Sequence, residues 1–262
     1  VAQISTMQEV RLGNNPRIKL LGAEVDVLDE SQTVSLVNEY IKTNTPLHLI
    51  GVNADKINAM QKDPEFSEIV NSCGVINADG ASLVLASRFL GEPLPERVAG
   101  IDLMQRLVEL SGKNQYKIFL LGAKESVVRQ AAKVLKDQNP TLKIVGVRNG
   151  YFRREEWPLI SKQLKELKPD LVFVGITSPL KEYLVEFLQA DGNKSVFMGV
   201  GGSFDVISGK IPRAPLWMQK SNLEWLFRVG QEPKRLLRRY LFGNITFIWH
   251  VIKAKLSGNV KR

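Results

Sequence analysis

Cysteine is almost absent from this chain. Cys73 is the only one in 262 residues, which excludes an intrachain disulfide and any metal centre built from a cysteine cluster. It also suits a reducing compartment. Histidine is nearly as scarce, with only His48 and His250. His48 lies inside the apolar run LHLIGVN, the setting of a structural histidine, so a Ser-His-Asp triad has almost no material. No Asp-x-Asp pair, a common grip for a divalent ion on phosphates, occurs anywhere. The G-x-G-x-x-G dinucleotide fingerprint is missing too: neither GVGGSFD (199–205) nor LLGAKESV (120–127) fits it, which argues against a nicotinamide oxidoreductase. The longest apolar stretch near the end, YLFGNITFIWHVI, has 13 residues and includes Asn244 and His250. That is too short and too polar to span a bilayer. The opening residues VAQISTMQEV have neither a basic start nor an apolar h-region, so no signal peptide is expected. No short-period repeat or low-complexity segment is present.

What is there is a positive charge, unevenly placed. The net charge is +9. From Val206 onward twelve Lys and Arg face two acids, Glu224 and Glu232, so that segment carries +10 and the first 205 residues −1. A basic segment of this kind seeks phosphates, on nucleic acid, an anionic membrane or a phosphorylated ligand.

Short apolar runs alternate with amphipathic ones. IKLLGAEVDVL (18–28) reads as a strand pair around Gly22, and SQTVSLVNEYIKT (31–43) as a helix capped near Asp29 or Ser31. Strands follow at LHLIGVN (47–53), GVINA (74–78), KIFLLG (117–122), KIVGVRNG (143–150), DLVFVGI (170–176) and SVFMGVGG (195–202), with helical patterns between them. This alternation predicts an α/β, Rossmann-like, mostly parallel sheet flanked by helices. The expected division is a catalytic body over 1–205 and a basic amphipathic appendage over 206–262. Ligands in such sheets bind at the carboxyl ends of strands, where Asn53, Asp79, Gly122, Gly150, Thr177 and Gly201 fall. In the appendage Leu237, Leu241, Ile245, Ile248, Ile252 and Leu256 recur at three- or four-residue spacing beside Lys234, Arg235, Arg238 and Arg239. That pattern, with Trp249, fits an interfacial helix with a basic rim; a terminal helix packed on the core fits nearly as well.

Asp79, in VINADGASLV, stands at a strand exit and a helix entry. It is either a helix cap or a base that takes a proton from a hydroxyl nucleophile. Ser82 is an alternative cap. Arg97, in PLPERVAG, is either a solvated loop residue, a counter-charge for a diphosphate or a group that orients a carboxylate. The glycines of GVGGSFD allow close approach of a ligand to the backbone, with N–H groups facing phosphate, or simply make a tight turn. Local spacing leaves these alternatives open.

The motifs taken in order narrow the reading. ADG (78–80), PLPERVAGIDLM (93–104), LLGA (120–123), IVGVRNGYF (144–152), GVGGSFDVISGKIPRAP (199–215) and LEWLFRVGQEPKRLLRRYL (223–241) together resemble the WecG/TagA/CpsF family of bacterial glycosyltransferases, over roughly residues 18–241. The resemblance implies an inverting, metal-independent transferase with no cofactor, peripheral on the cytoplasmic face of the bacterial inner membrane. Its substrates are a UDP-sugar donor and a polyprenyl-diphosphate-linked acceptor, in wall teichoic acid, common antigen or capsule synthesis. The sugar is N-acetylmannosamine, its uronic acid or a glucose-type unit. By the same resemblance Asp79 is the catalytic base, Arg97 an active-site arginine, Gly150, Tyr151 and Asp205 the nucleotide pocket, and Arg228, Arg235 and Arg238 the grip on the lipid diphosphate. Asn53 and Gly201 join them as strand-end residues. An anionic membrane surface is an expected partner, and a homo-oligomer a further one.

Two positions depart from the family pattern. Gly51 stands where many members have threonine, and Lys181 where many have glutamine, in ITSPLKEYL. Both are expected on the sugar side, with Lys181 either pairing with an acidic sugar or sitting in solvent. The rival readings are a nucleic-acid- or membrane-binding protein on a non-catalytic α/β fold. A nucleic-acid groove spreads cations among stacking residues, whereas here they interleave with an apolar stripe. No nucleic-acid partner is therefore expected.

Overall fold

The computed structural model describes residues 11–257, with the side chains of Lys220, Arg235, Arg238, Arg239 and Tyr240 outside the described set. A hairpin of β1 (Arg17–Leu20) and β2 (Ala23–Asp26) turns at Gly22, whose φ of +88° favours glycine. Then come α1 (Glu30–Lys42), β3 (Leu47–Val52), α2 (Ala54–Met60), α3 (Pro64–Ser72) and β4 (Val75–Ala78). Next are α4 (Ala81–Leu90), α5 (Gly100–Asn114), β5 (Lys117–Gly122), α6 (Glu125–Gln138), β6 (Lys143–Arg148), α7 (Trp157–Leu167), β7 (Leu171–Gly175), α8 (Leu180–Ala190) and β8 (Val196–Gly199). The last four helices are α9 (Ser203–Ile207), α10 (Leu216–Lys220), α11 (Glu224–Gln231) and α12 (Pro233–Leu256). Asp29 caps α1 in a capping box with Gln32, so the cap is Asp29 and not Ser31.

The six strands β3 to β8 form one parallel sheet in the order β4-β3-β8-β7-β5-β6. This is the parallel α/β architecture that the alternation predicts. Helices cover both faces, so the strands are apolar throughout rather than alternating. One face packs Leu49, Phe173 and Met198 with residues of α1, α5 and α6. The opposite face carries two clusters, one around Ile50, Ile57 and Phe66 and another around Phe119, Val172 and Phe197. The sheet edge at β4 is covered: Asp26, held by Arg17 at 2.9 Å, accepts the Ile76 amide at 2.7 Å.

Helix α5 has no local signature at its start. Ala99 at its N-cap offers no side-chain bond; the first amide is satisfied from a distant part of the chain, as described below. Helix α12 lies against α2 and α4 through Phe247 and Val251. Gly243 allows the approach, because a Cβ there would come within 2.9 Å of the Asp55 carboxylate, and Asn58 donates to its carbonyl at 2.8 Å. The regular stripe of Leu237, Leu241, Ile245, Ile248, Ile252 and Leu256 faces outward. The two readings of this helix therefore describe its two faces. The expected boundary after residue 205 falls inside α9, whose Phe204 is fully buried.

Where the two clusters of the second face meet, a charged group is buried. Glu182 on α8 accepts Lys56 Nζ at 2.6 Å, Lys181 Nζ at 3.2 Å and the Ser178 hydroxyl at 2.9 Å. Burial alone would raise the Glu182 carboxyl, but the two lysines outweigh it and hold it at about 2. One carboxylate serves two ammoniums, and burial with the charge of Lys181 lowers Lys56 to about 8. His48, buried beside them, is lowered by burial to about 3 and stays neutral at neutral pH.

Glu182→Gln leaves two buried lysines without a counter-charge and should destabilise the fold by about 3–5 kcal/mol in urea unfolding. Below neutrality the unfolded chain takes up protons first at His48, then at Glu182. Stability should therefore fall as pH drops below 6.5, and further from 4.5 toward about 2. Thermal melts across that range check the sign, and the lower limb should shrink in Glu182→Gln.

Candidate active site

At the carboxyl edge of the sheet, β4 ends at Ala78 and the next residue is Asp79. Its amide donates to the Val52 carbonyl at 2.9 Å, continuing the ladder by one residue. Its side chain does not cap α4: the N-cap there is Gly80, without a side-chain bond, and Ser82 does not cap it either. Instead Asp79 Oδ1 accepts the Gly100 amide, the first of α5, at 3.0 Å. The positive end of a fifteen-residue helix thus points at the carboxylate. No hydrogen bond reaches Asp79 Oδ2 from the described residues, and the residue is half-buried. Gly51 lies directly against it: in this chain a Cβ there would lie 2.8 Å from the Asp79 Cβ.

Arg97 holds the same turn. Its Nε donates to the Asp79 carbonyl at 3.0 Å and its Nη2 to Glu224 Oε2 at 3.3 Å. Glu224, buried at the start of α11, also faces Arg228 Nη2 at 3.4 Å and Arg213 Nε at 3.8 Å. Arg213 in turn bonds Asp102 on α5 at 2.6 Å. Arg97 and Arg228 are brought together by a residue that the motif reading passed over. Its signal was present: Glu224 is one of only two acids in a strongly basic segment. Arg213 stands in the quoted KIPRAP run and was missed for the same reason. The side chains of Arg235 and Arg238 lie outside the described residues.

The other expected residues spread along the edge. Asn53 caps α2, accepting the Lys56 amide at 3.1 Å, and packs beside Gly80. Lys181 does not sit in solvent: it reaches back to Glu182, and a Cβ on Gly199 would come within 2.7 Å of its Cε. Gly201, with φ +52°, is exposed just after β8. Toward the far edge, the Gly150 amide donates to the Ala123 carbonyl at 2.9 Å, so the turns after β5 and β6 lie together. Tyr151 follows, 71% exposed. Asp205 bonds Lys210 at 2.6 Å; that bond raises the lysine above its ordinary range, with a smaller contribution from Tyr151 nearby. Asp79, Asn53, Arg97 and Arg228 therefore form one group, and Tyr151, Asp205 and Lys210 another. Five strand spacings, roughly 24 Å, separate β4 from β6. Among the described residues no three His, Cys, Asp or Glu side chains converge as metal ligands.

The signature of the Glycosyl transferase WecG/TagA/CpsF family matches residues 18–261. An N-acetylglucosaminyldiphosphoundecaprenol N-acetyl-beta-D-mannosaminyltransferase of Bacillus subtilis (strain 168) is 34% identical over 203 residues, covering 78% of each chain. A protein of the same name from Staphylococcus aureus (strain MW2) is 31% identical over 244 residues, covering 92% of this chain and 94% of its own.

Gly51→Ala places a methyl against Asp79 and should swing the carboxylate away from Gly100. Sugar transfer should fall roughly 10- to 100-fold, more than any change in melting temperature explains; steady-state kinetics beside a thermal melt measure both.

Proposed function

We propose, from the premise that this chain belongs to the Glycosyl transferase WecG/TagA/CpsF family, that it moves N-acetylmannosamine from UDP to a polyprenyl-diphosphate-linked N-acetylglucosamine, with inversion and without a metal. The names of the relatives support this acceptor and sugar. The carrying observation is Asp79. One carboxylate oxygen is fixed by Gly100 and the other has no hydrogen bond from the described residues. In this reading Oδ2 takes the proton of the acceptor hydroxyl. That oxygen then attacks the anomeric carbon from the face opposite UDP. The anomeric C–O bond breaks and its electron pair leaves with the diphosphate. In this reading the backbone amides of the glycine turn after β8 face the departing diphosphate, in the role that a metal ion fills elsewhere, and Arg97, Arg213 and Arg228 supply positive charge beside Asp79 for the acceptor diphosphate. Tyr151, Asp205 and Gly150 take the nucleotide. Lys181 is engaged by Glu182, which favours a neutral sugar over a uronic acid.

The acceptor is a lipid, and α12 suits its setting. No helix among the described residues is long and apolar enough to cross a membrane. The outward stripe of α12, with Phe242 and Trp249 exposed and Lys253 stacked over the Trp249 ring at 5.1 Å, fits a helix lying in the interface of an anionic leaflet.

UDP release from a panel of UDP-sugars, with EDTA and a GlcNAc-diphosphate-lipid acceptor, tests the reaction. Release should depend on acceptor, be highest with UDP-N-acetylmannosamine, and drop roughly 100- to 10,000-fold in Asp79→Asn. Release unaffected by the acceptor or by that substitution refutes the assignment. In vesicle flotation the full chain should bind anionic vesicles, and Ile245→Glu with Trp249→Glu should abolish flotation without lowering the melting temperature.

A further inference from the structure

Glu224 has no part in the proposed chemistry, yet three separate stretches of chain meet at it. Its carboxylate is buried, with the side chain 6% exposed, in a region that collects guanidinium groups. Arg97 arrives from the loop before α5, Arg213 from the segment after α9, and Arg228 from one turn further along α11. Three fixed cations repel one another. They stay together only where an anion is shared among them, and a carboxylate has lone pairs for several donors. Asp102 adds a second anchor through Arg213. The neighbours of this hub matter more than the hub: Arg97 also holds the Asp79 carbonyl, and Asp102 lies in the first turn of α5, whose leading amide holds the Asp79 carboxylate. The cluster is not saturated. The buried Nε–H of Arg213 makes no hydrogen bond among the described residues.

We propose that Glu224 is a positioning residue. Its charge gathers Arg97, Arg213 and Arg228 into one cationic group beside Asp79, keeps Arg97 on the Asp79 turn, and leaves the more exposed guanidinium donors, those of Arg228 above all, for an anionic oxygen of the acceptor diphosphate. The ligand part of this assignment rests on the transferase reading; the positioning part does not. With Glu224 neutral, the arginines spread apart and Arg97 releases the Asp79 carbonyl. The donor nucleotide, placed toward β6, does not sense the change.

The experiment compares full-length wild type, Glu224→Gln, which keeps the shape without the charge, and Glu224→Asp, which keeps the charge one methylene shorter. In the transfer assay Glu224→Gln should lose about tenfold or more in kcat/KM for the lipid acceptor, with UDP affinity in calorimetry unchanged within about twofold. Glu224→Asp should retain more activity than Glu224→Gln. Hydrogen–deuterium exchange on the same proteins should show faster exchange in Glu224→Gln over both 97–104 and 211–232, with the strands of the sheet unchanged. Equal or better activity in Glu224→Gln than in Glu224→Asp overturns the assignment, as does a matching loss of UDP affinity or unchanged exchange over 97–104. A wild-type protein without acceptor-dependent release refutes the transferase reading instead, and the exchange comparison then decides the positioning role alone.

Discussion

The hydrogen bond from the Gly100 amide to the Asp79 carboxylate joins the last residue of one strand turn to the first residue of a long helix. Much else follows from it. It gives α5 the cap that Ala99 cannot supply, and it holds an acidic side chain in the field of a helix N-terminus. It also sets the course of the loop between α4 and α5, where Val98 donates to the Ala78 carbonyl at 2.8 Å and Arg97 grips the Asp79 carbonyl. Gly51 on the neighbouring strand is bare where a side chain would push the carboxylate off this bond. One oxygen of this carboxylate is thus committed to the fold, and the other accepts no hydrogen bond from the described residues.

The two faces of the sheet solve different problems. The α1, α5 and α6 side is a continuous apolar layer. The other side is two layers with a charged seam, and Glu182 with its two lysines fills that seam. Such a group contributes little net stability once desolvation is counted, but loss of one member leaves uncompensated charge in the interior. The seam ties α2 to α8, so their positions, and with them Asn53 and Ser178, depend on it.

Much of this was legible in the residues. Strand and helix alternation located the six parallel strands. Asp79 and Arg97 were visible as oddly placed charges. What local pattern did not carry was any contact across the chain. Helix α5 escaped notice because its cap comes from 21 residues upstream. Glu224 read as a minor acid among cations because nothing nearby tells that Arg97 reaches it from 127 residues away. Periodicity found the stripe on α12 but not its orientation, because Phe247 and Val251 lie off that stripe and meet the core through the gap at Gly243.

That gap has a mechanical consequence. The Asn58 amide clamps the Gly243 carbonyl, and Lys255 donates to the Phe89 carbonyl at 2.9 Å, so α12 is fixed to α2 and α4 at two separated points. A helix fastened twice cannot swivel on its own; it acts as a lever. A torque applied to its outer face passes into α2, whose first turn is capped by Asn53 beside Gly80. The next residue back is Asp79. A load on the outside of the molecule is felt within a few contacts at the end of β4.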